Sequence, residues 1–423
     1  MARLTDQIRE LVLENYLTSG AYNGTSLSAL SQQLDASPLS VIRAVRQLLS
    51  RGSVTAVFGD VHPNAAIKAL RDETKAVLLG KFASSKKRRS AFIYPSTALL
   101  RRRVDRSQYQ SRPFSLRLAL GAPQLTYLAF DPSVLEIYRN DPRYLYRAPI
   151  VVGSLSIHDD YYRSRKVRED DKILIKSFGL CFDARTHEPA VAAFLDDLAR
   201  LPPRHQRWWE MQLARGRFDV HPAYWRWANG HFPNSISVLH AIPSLLQLIN
   251  RYAKAMGHPP LFREEFEETP PEYGWLLRPT QREFSDFAQL LDKMLGENIN
   301  VPFFRGEVAA EALEQRRNGT VVAKRKWKPR LLEEWLSRRY TGSGVPRKDA
   351  IQTFREIREL RNTPAHGSQP NVYDRRFIAQ QRAIVAAAFR ALADLRDIFA
   401  THPDTRDVKL PRWVELRHPV LPH

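Results

Sequence analysis

The chain has 423 residues, 43% of them hydrophobic and 10% aromatic, which excludes a disordered chain and allows roughly two to four folded domains. A formal net charge of +20 predicts salt-sensitive affinity for polyanions, nucleic acid first among them. Cys181 is the single cysteine, which excludes an intrachain disulfide and a cysteine-based zinc site. Its place in the apolar run 173–182 predicts a buried structural thiol, not a nucleophile. The start, Met1-Ala-Arg-Leu-Thr-Asp, has no apolar signal region and no window is long enough for a membrane span, so a cytoplasmic protein without a membrane partner is expected.

Residues 1–75 predict three helices and a short ribbon. Ile8, Leu11 and Val12 give the first helix an apolar face, and Leu27, Leu30 and Leu34 do so for a second. Ser37 and Pro38 are an N-cap and first-turn pair for a third helix, with Val41, Ile42, Val45, Leu48 and Leu49 at helical spacing. Gly52 ends it, and Val54–Phe58 begins a wing. This order resembles a winged helix-turn-helix, in which Ser40, Arg43, Arg46 and Gln47 point away from the apolar stripe towards base edges and phosphates. DNA is the partner that resemblance implies; a polar outer face is equally what a solvated helix shows.

Residues 76–111 are expected to be a basic linker. It carries Lys86, Lys87, Arg88, Arg89, Arg101, Arg102 and Arg103, with Phe92, Tyr94 and Tyr109 interleaved for stacking on bases. Residues 112–189 predict a small β-rich or mixed domain: Phe114–Leu120 alternates, 121–124 turns, Leu125–Phe130 returns, and Ile150–Ile157 and Ile173–Phe182 are further strands. Residues 190–275 predict a helical, aromatic-rich region whose Trp208, Trp209, Trp225, Trp227 and Trp275 pack in cores and domain contacts. Its histidines, His205, His221, His231, His240 and His258, lack the i, i+4 spacing of a helical metal site, so no metal and no other cofactor is expected.

From 276 to 405 the pattern is a helical bundle, followed by a tail over 406–423. Thr280-Gln-Arg-Glu283 is a capping box opening a helix with Phe284, Phe287, Leu291 and Met294 on one face. Lys324, Arg325, Lys326 and Lys328 surround Trp327 in a segment suited to phosphates. Residues 349–362 form the next helix, with Ile351, Phe354 and Ile357 inward, and 373–399 a long last one. Arg361 lies seven residues after Phe354 and four after Ile357, within roughly 40° of both on the wheel, so a cation occupies a face that should be apolar. Pro364 then breaks the helix and lets the chain turn His366 back. From spacing alone, Arg361 and Asn362 read first as helix-end groups and His366 as a loop residue.

Arg361-Asn362-Thr-Pro-Ala-His366, set between the last two long helices, resembles the motif of the HEPN superfamily, an Arg followed after four to six residues by His. The resemblance covers about 276–402. It implies a metal-independent endoribonuclease, of the kind found in bacterial toxin and phage-defence systems, acting as a homodimer on RNA, tRNA included. In that reading His366 moves the proton, Arg361 stabilises charge on phosphorus and Asn362 orients the groups. Pro364 departs from the helical residues commoner there. The whole reads as a mainly α, multidomain chain. Two other classes compete: a winged-helix transcriptional regulator whose bundle only dimerises, and a non-catalytic scaffold using the tryptophan-rich region.

Overall fold

The computed structural model describes residues 2–59, 70–81, 91–147, 151–228, 230, 234–270, 272–315, 321–340, 345–362 and 370–422. The chain divides into two compact units, 1–145 with 154–178 and 190–216, and 146–153 with 179–189 and 217–423.

The amino-terminal elements are α1 (Ala2–Thr18), β1 (Thr25–Ser26), α2 (Leu27–Gln33), α3 (Pro38–Ser50), β2 (Val54–Phe58), α4 (Asp72–Lys81) and β3 (Ala91–Pro95). The Ser37 side chain accepts the Ser40 N–H and Pro38 opens α3, as its sequence predicts. Val41, Ile42, Val45, Leu48 and Leu49 are buried with Ile8, Val12 and Leu30. The ribbon β2–β3 is antiparallel and β1 closes the sheet in the order β1-β3-β2. The expected linker is therefore structured where it is described: Ala91–Pro95 is the middle strand and Leu79 of α4 lies in the core.

The chain continues through α5 (Thr97–Arg103), α6 (Pro113–Ala119), β4 (Tyr127–Phe130), α7 (Glu136–Arg139), β5 (Tyr144–Arg147), β6 (Val152–Ile157), α8 (Asp159–Tyr162), β7 (Leu174–Asp183), β8 (Pro189–Phe194), α9 (Leu195–Ala199) and α10 (Pro203–Met211). The strand expected at Phe114–Leu120 is the helix α6. Pro113 sits in its first turn, and Phe114, Ser115, Leu118 and Ala119 are the buried positions, a helical spacing that the apparent alternation concealed.

The second unit contains β9 (Phe218–Val220), α11 (Pro222–Ala228), β10 (Ile236–Ser237), α12 (Val238–Ala255), α13 (Gln281–Met294), β11 (Glu311–Gln315), β12 (Val321–Arg325), α14 (Lys328–Arg339), α15 (Val345–Asn362), α16 (Arg376–Ala400), α17 (Arg412–Glu415) and β13 (Val420–Leu421). Helices α12 and α15 pack on α16, and α13 and α14 pack on α15. The bundle thus recruits α12 from before the expected boundary. The expected tail is also structured, since β13 pairs in parallel with β10 and Trp413 donates its indole N–H to Ser244 Oγ at 2.9 Å.

The expectation of a mainly α protein is corrected. The described residues are about 52% helix and 17% strand, and they hold a six-stranded sheet of order β4-β8-β7-β6-β5, with β9 beside β7. Its inner strands are continuous apolar runs: Ala190 to Phe194 of β8 are all buried, the pattern of a strand covered on both faces. Cys181 of β7 is fully buried and burial pushes its thiol up to about 12, so it is the structural thiol expected.

Asp197 of α9 is a buried acid of the first unit. Burial, with Asp196 second, pushes its carboxyl from 3.8 up to about 6, against the pull of Lys176 and Arg200. A raised acid favours the folded state only while protonated, so that contribution is present below about pH 4 and is lost as pH rises through about 6. Asp197→Asn should therefore raise stability at about pH 7.5 by roughly 2–3 kcal/mol and leave it unchanged near pH 4. Urea unfolding at both pH values checks this; an equal gain at both would remove burial as the cause.

Candidate nucleic-acid interface

Helix α13 starts at its predicted N-cap, though Glu283 reaches past Thr280 instead of closing the reciprocal half of the box. Thr280 Oγ1 accepts the Glu283 N–H at 3.2 Å, while Glu283 reaches back to the N–H groups of Leu277 and Arg278 at 3.1 Å. Phe284, Phe287, Leu291 and Met294 are buried, and Asp292, beside Leu291, is carried inward with them. After the helix, Gly296 allows the chain to turn: a Cβ there would lie 2.9 Å from Asp292 Oδ1. The turn sets Glu297 beside the end of α15.

Helix α15 delivers Arg361 from the other side. Ile351, Phe354 and Ile357 are buried, and Arg361 shares their face. Its Nη1 donates to Asp292 Oδ2 at 2.8 Å and to Glu297 Oε1. The cation on an apolar face is thereby explained by a buried carboxylate on the facing helix. Burial raises the Asp292 carboxyl despite Arg361, whereas hydrogen bonding to Arg361 lowers that of the more exposed Glu297. Both carboxylates raise Arg361 further above its ordinary value.

The basic segment forms one side of a neighbouring cleft. Strands β11 and β12 make an antiparallel ribbon, and Trp327 then caps α14. Lys324 pairs with Glu314 at 3.0 Å, Lys326 with Glu334 at 2.6 Å, and Lys328 donates to the Glu297 carbonyl. Arg355 and Arg358 of α15 lie over the Trp327 ring, at 5.9 and 5.6 Å from its centre. A cleft of about 850 Å³ runs here, lined by Lys324, Arg325, Lys326, Lys328, Arg330 and Arg358 with Glu297 and Glu314. Glu334, which pairs with Lys326 and Arg330, is a third carboxylate on these six cations, so three positive charges are in surplus. Arg330, Arg355 and Arg358 were not among the sequence-predicted residues; for Arg358 the signal was its position one helical turn before Arg361.

The amino-terminal candidates divide. On α3, Arg43 is exposed and Gln47 half-buried, while Ser40 Oγ pairs with Ser37 Oγ at 2.9 Å. Arg46 is exposed and spends one bond within the fold, its Nε donating to the Ala76 carbonyl of α4 at 2.8 Å. Arg101 and Arg102 are exposed, whereas Arg103 forks onto Glu10 at 3.1 and 2.6 Å. Lys86, Lys87, Arg88, Arg89, His366 and the side chain of Asn362 lie outside the described residues. Among the described residues no group of three or more His, Cys, Asp or Glu could hold a metal.

Chemically, the cleft can neutralise several phosphates of a chain, and a phosphate that meets Arg361 also meets the charge of Glu297, which shares Nη1 with Asp292. Removing Arg361 would strand Asp292, whose side chain is 1% exposed. Arg361→Ala should then cost about 2–3 kcal/mol at neutral pH, and adding Asp292→Asn should restore most of it. A loss below about 0.5 kcal/mol in chemical unfolding would show that the pair does not hold α13 to α15. Compared with protein-family models, with curated proteins and with solved structures, the chain shows no match.

Proposed function

We propose that the second unit binds RNA along the ribbon–α14 cleft and cleaves it without a metal at Arg361, Asn362 and His366. The observation that carries the reading is convergence. The basic segment 324–330 and Arg361 are separate in sequence, and Glu297 touches both, lining the cleft while pairing with Arg361. The helical setting of the motif, at the end of α15 and before α16, supports the likeness to the HEPN superfamily.

In the proposed reaction the ribose 2′-oxygen attacks the adjacent phosphorus and the bond to the 5′-oxygen breaks. The 2′-hydroxyl proton leaves to a base and the departing 5′-oxygen gains one, giving a 2′,3′-cyclic phosphate and a 5′-hydroxyl. His366 carries a proton, Arg361 meets the charge on the phosphorane and Asn362 orients the groups. A homodimer, with two motifs sharing one cleft, belongs to the same proposal, as does a role in bacterial stress or phage defence. The protein contains no described helix long and apolar enough to cross a membrane. The transcriptional-regulator reading receives less support, because α4 packs on α3 and accepts a hydrogen bond from Arg46.

Glu297 is the carboxylate whose charge opposes an arriving phosphate. Glu297→Gln should strengthen RNA binding about three- to tenfold, and Lys324→Glu with Arg325→Glu should weaken it at least tenfold and flatten its salt dependence. Cleavage of total RNA and tRNA in EDTA should leave cyclic phosphate ends and vanish in His366→Ala. RNA binding that is indifferent to the cleft variants, or cleavage that survives His366→Ala, would overturn the proposal.

A further inference from the structure

We infer that the first unit carries a separate small-molecule site, a groove against α10 that takes a mononucleotide. The groove has a volume of about 560 Å³, within the range of small-ligand pockets. It is independent of the RNA reading, and none of its residues belongs to the cleft described above.

Helix α10 builds one wall. Pro203 opens it, and Arg204, Arg207, Trp208 and Met211 recur at helical spacing towards the groove, while Gln206 and Trp209 are buried. Gln206 locks the helix in place by accepting the N–H groups of Phe114 and Ser115 at 3.1 and 3.2 Å. The floor is equally fixed. The His205 ring stacks on Tyr138 at 5.6 Å, with Nδ1 2.7 Å from the phenol oxygen, and Trp209 donates its indole N–H to that same oxygen at 3.1 Å. The Tyr138 oxygen thus ties His205 and Trp209 together, and the floor of the groove is held by packing and hydrogen bonds.

Its two ends differ in chemistry. At one end Met211 is 71% exposed and Ile137 41% exposed, beside the half-buried Trp208. The Trp208 N–H is already spent on the Val134 carbonyl at 2.9 Å, so the indole offers a ring face and no donor. That end suits a flat apolar ring. At the other end, Arg143 is held by Asp141 and Asp171 at 2.7 and 3.2 Å, which leaves one negative charge among the three. Arg204 is the looser cation: its side chain is 67% exposed and 3.6 Å from Asp171. Arg207 is exposed and donates one bond to the Gln110 carbonyl at 2.8 Å. Both keep N–H groups for an anion, and a guanidinium edge matches a phosphate.

Size and charge then select the ligand. Three guanidiniums against two carboxylates leave one positive charge in surplus, enough for a small anion and less than the surplus in the other unit's cleft. An aromatic ring joined to a single phosphate, the chemistry of a nucleoside monophosphate, satisfies both ends. A long polyanion does not.

The test is titration calorimetry of the full chain with AMP, GMP, CMP and UMP, with the matching nucleosides, and with a 5′-phosphorylated oligonucleotide. At least one monophosphate should bind with a dissociation constant below about 100 μM, its nucleoside at least tenfold more weakly. Arg204→Gln with Arg207→Gln, both exposed, should weaken that binding at least tenfold while the chain still unfolds cooperatively, and Trp208→Phe should retain it. No saturable binding at about 1 mM nucleotide, or binding unchanged in the double variant, would overturn the proposal. Tighter binding of the oligonucleotide that is lost in the same variant would also overturn it, assigning the groove to a strand end. Failure of RNA cleavage bears only on the other unit.

Discussion

Burying a carboxylate is costly unless a cation meets it, and Asp292 is the carboxylate on which the second unit is arranged. Arg361 answers it across the α13–α15 contact at 2.8 Å. Several placements follow from that bond. The end of α13 is held to the end of α15, so the turn through Gly296 brings Glu297 onto the same guanidinium. The Glu297 carbonyl then receives Lys328 at the start of α14, and Arg358, one turn back on α15, reaches Trp327. The basic cleft is in this sense built outward from one buried ion pair.

The net charge of +20 misleads if every cation is taken as available. Arg46, Arg103, Arg143 and Arg361 each spend hydrogen bonds on groups within the fold. What distinguishes the cleft is that its cations outnumber the carboxylates facing them. Lys324 and Lys326 have acidic partners, yet Arg330 and Lys326 share Glu334, which leaves charge over for a ligand. Local surplus, not total charge, decides where a polyanion gains most from releasing its counterions.

Much of this was legible where the signal is local. The apolar stripes of α3 and α13, the Ser37 and Thr280 caps and the burial of Cys181 follow from spacing and side-chain chemistry alone. The anomaly at Arg361 was legible as an anomaly, because 100° per residue places it on the apolar face. Its explanation was not, since Asp292 lies 69 residues away and only packing brings them together. The same limit hid β13, whose partner β10 is far upstream, and the middle strand β3 inside a segment that composition marks as a linker. At Phe114–Leu120 the error was of another kind: seven residues fit both periods, and Pro113 with the burial of Phe114 and Leu118 decided for helix.

The two carboxylates on Arg361 are not equivalent, and the difference bears on how such a site could work. Asp292, 1% exposed, cannot be released to water, so losing Arg361 there would leave a buried charge or force a proton onto it. Glu297, 44% exposed, can swing into solvent at small cost, because its hydration replaces most of what the pair supplies. In the proposed site, Asp292 would keep the guanidinium anchored through Nη1, while Glu297, on that same nitrogen, could yield to an arriving phosphate. An arginine held by one permanent and one exchangeable carboxylate is thus compatible with both structural and chemical duty. The pairing by itself does not argue against catalysis at this position.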